Sequence, residues 1–133
     1  MSGVYVRKRR LSELQFYVTG QELQVMVTKY ALNPKHIPKK YRYTISKSLI
    51  DTVDSIMKNI IKAHSIRVKT DKDKKKKLKY QNLAYSMCWI LHNEIDRAIK
   101  VIKINKFKGI PNIISLLDKE MKLIKNWSKC TMS

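Results

Sequence analysis

Three histidines, two cysteines and ten carboxylates carry whatever catalytic or metal-binding potential this chain has. His36, His64 and His92 fall in three different segments. His92 and Asp96 stand at i, i+4, which sets them on one helix face as a surface hydrogen-bonded pair. The Glu-x-x-His repeats that hold iron in di-iron bundles are missing. Asp51 and Asp54 share the outer side of a helix with several lysines, an arrangement that yields salt bridges rather than an acid–base couple. Neither Cys88 nor Cys130 has a partner at metal-ligand spacing, so both read as free thiols of a reducing compartment. No glycine-rich loop cradles a phosphate. The sequence predicts no catalytic residues, no metal and no cofactor.

What the chain does carry is charge. Lys and Arg number 29 against 10 Asp and Glu, a formal net charge of +19. Codon bias toward Lys, Ile and Asn raises the lysine count but does not deplete acids, so the imbalance points to a polyanionic partner. Nucleic acid is the simplest one. Zinc-finger spacing, an RNP-type aromatic strand and a GxxG loop are all absent. Recognition is therefore expected through backbone phosphates, of RNA first and of DNA by the same chemistry. Tyr41, Tyr43 and Tyr80 offer stacking faces beside the lysines.

These residues need a scaffold, and the sequence supplies helices. Ile45, Leu49, Val53, Ile56 and Ile60, flanked by Ile50, Met57 and Ile61, recur at steps of three and four. With Pro38 suited to a first helical turn, they predict one long amphipathic helix over 38–66. A first helix over 12–32 carries Phe16, Thr19, Leu23, Met26, Val27 and Tyr30. Ser12 would cap it, Gly20 weakens it and Asn33-Pro34 stops it. A third helix over 76–104 places Leu83, Ala84, Met87, Leu91, Ile95, Ala98 and Ile102 on one face. The fourth, over 111–129 after Gly109-Ile110-Pro111, carries Ile114, Leu117, Met121 and Ile124, with Trp127 near its end.

Between the second and third helices, residues 67–79 are dominated by lysine and are expected to form a mobile linker or a frayed helix start. Residues 1–11, with Arg7 to Arg10, read as a flexible basic arm ahead of a single 12–129 bundle. Only three Gly and three Pro argue against an all-β fold. No apolar run reaches about 18 residues and the N-terminus lacks a signal peptide's apolar core, so a cytoplasmic protein with no membrane contact is expected.

Short links between four helices predict an all-α, antiparallel up-down-up-down four-helix bundle. That topology gathers the first and third loops at one end, where Lys35, Lys39, Lys40 and Arg42 approach Lys103, Lys106 and Lys108. The other end collects Arg7 to Arg10, the lysine run, and Lys122, Lys125 and Lys129. Ile113, Leu116, Leu123 and Trp127 widen the stripe of the fourth helix to roughly 180°, against the ~100° that one core needs. Tyr85 and Trp89 likewise fall off the stripe of the third. This surplus predicts self-association.

Tyr30, the Ile37-Pro38-Lys39-Lys40 opening, the long helix behind it and the Leu117, Met121, Ile124, Trp127 series before a basic tail form an ordered set over about 30–129. In this set the sequence resembles the accessory variability determinant family, small four-helix bundles that accompany diversity-generating retroelements. That family is related to the bundle encoded by intervening sequences in 23S rRNA genes. The resemblance implies a homopentameric barrel with a basic surface that binds a reverse transcriptase and its template RNA and supports mutagenic retrohoming. By position, Lys39, Lys40, Arg42, Lys125 and Lys129 would belong to that surface. The chain departs from the family in its long lysine-rich second loop and its few arginines. The rRNA-intervening relative, a structural bundle without a retroelement role, is the alternative.

Overall fold

The computed structural model describes residues 14–103 and 109–133, and every regular element among them is helical. The basic arm, the Ser12 cap, and Lys106 and Lys108 lie outside the described residues. Among the described residues there are four α-helices: α1 (Gln15–Leu32), α2 (Lys47–Ser65), α3 (Asp71–Ile102) and α4 (Ile110–Met132). Consecutive helices pack on one another, and α4 also packs on α1. This ring buries Leu23, Val27, Val53, Ile56, Ile60, Leu91, Leu117 and Ile124 in one core. Removal of that apolar surface from water, at ~25 cal/mol per Å², is the main favourable term in the fold. No helix among the described residues is long and apolar enough to cross a membrane.

The segment over 38–66 is not one α-helix. Lys39–Tyr41 is a 3₁₀ turn, Arg42–Ser46 a π turn, and α2 starts only at Lys47. Pro38 sits ahead of the 3₁₀ turn with extended backbone rather than inside a first α turn. Tertiary anchoring explains the departure. Ile37 and Ile45 are both buried, and Ser46 Oγ donates to the Ala31 carbonyl oxygen at 2.7 Å. The chain between these anchors must change pitch to satisfy them, and a π turn absorbs the misfit.

Residues 71–79 are helical and not a linker. Thr70 Oγ1 accepts from the Asp73 N–H at 3.2 Å, while the Asp73 carboxylate accepts from the Lys69 and Thr70 N–H groups. Those bonds, that from Lys69 first, hold the Asp73 carboxyl below its ordinary pKa. Asp71 and Asp73 also place negative charge at the positive end of α3, against the lysines that follow. The register of α3 buries Gln81, Ala84, Cys88, Leu91, Ile95 and Ala98, while Leu83 is exposed and not on the core face.

Gly109, with φ at +88°, precedes α4, and Pro111 occupies its first turn. Ile113 is buried, and Leu116 and Trp127 pack against the core. Trp127 stacks on Phe16 of α1 with ring centroids 3.8 Å apart. Much of the widened stripe of α4 is thus covered within the chain, while Leu123 is half-buried and Trp89 of α3 stays exposed.

Candidate nucleic-acid interface

The acids matter first, because they decide how much positive charge is left over. The Glu94 carboxylate accepts from Ser48 Oγ and Thr52 Oγ1 in the α2–α3 interface. Asp54 accepts from Gln24 Nε2 at 2.8 Å, not from a lysine, and Asp73 caps α3. Asp51 pairs with Lys47 at 2.6 Å. His92 Nε2 lies 3.0 Å from Asp118 Oδ1, so its partner comes from α4 rather than from Asp96 on its own helix. Glu120 is fully buried. Among the described residues, Lys47 is therefore the one lysine or arginine in a salt bridge.

Those free cations fall into separate surfaces. Lys35, Lys39 and Lys40 are exposed, and Arg42 is half-buried at the start of the π turn. Lys40 Nζ lies 5.2 Å from the Tyr41 ring centroid, and Tyr43 is 86% exposed. Arg42 and Tyr43 flank a groove of about 230 Å³ floored by Leu32, Ser46 and Ile50. Beneath this region Tyr30 stacks on His36 at 4.1 Å and borders Gly109, so the first connection and the end of the third meet at one place. Burial of Tyr30 raises its pKa. Lys103 is exposed and closes α3 in the left-handed conformation at φ 54°. Lys106 and Lys108 are outside the described residues.

Lys125 and Lys129 belong to a second surface, along the α3–α4 seam. With Lys122, Asn126, Tyr85 and Met121 they line an open groove of about 330 Å³. Lys125 Nζ sits 5.0 Å above the Tyr85 ring centroid, a cation–π contact between the helices. The sequence does not group Tyr85 with Lys122, although Lys122, Lys125 and Lys129 at i, i+3, i+7 share one flank of α4.

A third cluster gathers Lys62 over Tyr80 at 5.7 Å and Lys77 over Trp127 at 5.8 Å, with the His64 ring 6.3 Å from Phe16. Burial lowers the Lys77 pKa; burial, then the Lys77 charge, lowers that of His64.

Among the polar side chains buried in the core, Glu120 is the fully buried carboxyl group. Glu120 has no hydrogen-bond partner on either carboxyl oxygen. It sits against Gly20 of α1, with Met57 of α2 at the same place. Burial pushes its carboxyl up to about 8, with Lys119 opposing. Burial, then Glu120, raises the Cys88 thiol on α3. Among the described residues no three of His, Cys, Asp or Glu come together so as to hold a metal ion. Comparison of the chain with protein-family models, curated proteins and solved structures returns no match.

Proposed function

We propose that this chain is a non-catalytic, nucleic-acid-binding helical bundle that serves as the accessory protein of a retroelement reverse transcriptase, engaging the enzyme and its template RNA through basic surfaces in the cytoplasm. One observation carries the nucleic-acid part: among the described residues Lys47 is the one lysine or arginine in a salt bridge, so the other lysines and arginines lining the surface grooves are left without carboxylate partners, while Asp54, Asp73, Glu94 and Glu120 are held in interhelical bonds, a cap and the core. An uncompensated field of this kind steers polyanions and releases their condensed counterions on binding. The retroelement role is supported by the resemblance over Tyr30 and Ile37-Pro38-Lys39-Lys40, where Tyr30 and Ile37 are buried anchors and the two lysines are exposed. Contacts of Gln24 with Asp54, Lys62 with Tyr80 and Lys125 with Tyr85 support an antiparallel up-down-up-down arrangement. A pentameric assembly, implied by the same resemblance, has exposed Val25, Leu32 and Ile61 on α1 and α2 available to it.

Filter binding with RNA and DNA tests the nucleic-acid reading. Affinity is expected to fall steeply between about 50 and 200 mM salt. Binding that ignores salt, or no binding at low salt, overturns it. Copurification with a retroelement reverse transcriptase, and light scattering at several times the chain mass, test the accessory and assembly parts.

A further inference from the structure

We infer that the α3–α4 seam is a site for a single strand of nucleic acid, its phosphates on Lys122, Lys125 and Lys129 and a base stacked on Trp89. This rests on the reading above that the partner is nucleic acid, and adds which form is bound and where. The seam is tied at two levels, by Lys125 over Tyr85 and by His92 against Asp118. Trp89 lies on α3 one turn from each, its i, i+4 spacing from Tyr85 setting it next along the helix from the residue that forms the α3 wall of the groove. Its indole is 58% exposed, backed on one side by the His92 ring at 5.6 Å and a 37° tilt. The groove itself is lined by three lysines and one amide, with no carboxylate among its lining residues.

Chemistry favours a single strand over a duplex. At ~1.5 Å of rise per residue, Lys122 to Lys129 spans roughly 10 Å, room for a short stretch of phosphates in either form, so the aromatic platform decides. Every base has a π-face, but in a duplex those faces are closed by their neighbours, and only an unpaired base can lie flat on an indole. Lysines that follow the backbone beside an aromatic platform are the combination that unpaired strands use. Asp118, paired with His92, stands at the far end of the seam from the three lysines.

The test is fluorescence anisotropy of labelled oligo-U, oligo-dT and a hairpin duplex of equal length at about 50 mM salt, with wild type, Trp89→Ala and Trp89→Phe. The wild type is expected to prefer both single strands to the duplex. W89A should weaken oligo-U and oligo-dT by about tenfold or more, the scale of one lost base–aromatic stack, and leave the duplex unchanged. W89F should keep most of the affinity. A loss confined to oligo-U assigns the strand site to RNA. Equal losses on strand and duplex, no loss at all, or an altered assembly mass for W89A by light scattering each overturn the inference. Melting followed by circular dichroism confirms that the exposed substitution leaves the fold intact. Failure of the wild type to bind any of the three probes would instead sink the nucleic-acid reading itself.

Discussion

Glu120 is a carboxyl group at a register position of α4 shared with Leu117, Met121 and Ile124. Its folded-state pKa of about 8 lies above the ordinary 4.5, so across that interval the folded chain holds a proton that the unfolded chain has released. Stability from this group is complete below about 4.5, declines as pH rises toward about 8, and is level beyond. Urea unfolding of the wild type should show this loss, a few kcal/mol at ~1.4 kcal/mol per pKa unit. The Glu120→Gln variant should lose much less over the same range. Gly20 is the other half of the arrangement, because a methyl there would press on Glu120 Oε2 and Met57 Sδ. Gly20→Ala should therefore destabilise by about 1–3 kcal/mol, although alanine is the better helix former by ~1 kcal/mol. In a Glu120→Ala background the cost should shrink, a coupling that a double-mutant cycle measures. The stripe of Leu117, Met121 and Ile124 was legible in the sequence, but a carboxyl buried beside it was not, because acids on a lysine-rich helix are expected at its surface. That Gly20 would lie opposite was not legible either, since only the packing of α4 on α1 brings the two together.

α3 depends on its first turn, where the next residues are mostly lysines that repel one another. Thr70→Ala removes the hydroxyl that accepts from the Asp73 N–H, at a cost of about 1 kcal/mol. The expected result is faster hydrogen exchange of the amides over 74–79, with those near Leu91 unchanged; uniform exchange across α3 would mean the cap is not what holds the start. The same element shows why the fold was only partly readable. Stops at Asn33-Pro34 and Gly109, and the stripes of α2 and α4, are local signals that survive in the structure. Thr70 and Asp73 are a local signal too, yet the density of lysines around them reads as a solvated linker. The π turn over Arg42–Ser46 has no local signal, because it arises from Ile37, Ile45 and Ser46 being fixed against other parts of the chain. The candidate sites divide in the same way. Lys39 and Lys40 stand out beside Pro38, whereas the seam needs α3 and α4 side by side before Tyr85 meets Lys125.

Charge belongs to the whole molecule, since a net +19 spread over separate surfaces leaves open whether one polyanion or two partners are engaged. Two triple variants separate these cases: Lys39→Glu, Lys40→Glu, Arg42→Glu at the 3₁₀ and π turns, and Lys122→Glu, Lys125→Glu, Lys129→Glu along the seam. None of the six side chains is in a salt bridge with a described residue, and five of them are exposed, so folding should be nearly intact, within about 0.5 kcal/mol per exposed substitution. Each phosphate contact on a single strand contributes ~0.7 to the slope of log affinity against log salt, so a surface that loses three contacts should flatten that slope by about 2. Uniform contact with one long RNA predicts the same flattening in both variants, because the strand would cross both surfaces. A division of labour predicts that the seam variant alone flattens the slope, while the turn variant alone fails to retain reverse transcriptase in a pull-down. The second outcome is expected on the proposed reading: the groove at the turns mixes Leu32, Tyr43 and Ile50 with the Lys47–Asp51 pair, a surface of mixed character suited to a protein, while the seam presents lysines around Tyr85. Should the turn variant retain the polymerase and bind RNA with an unchanged slope, Lys39, Lys40 and Arg42 would not be a functional surface, and the accessory role would have to reside elsewhere on the bundle.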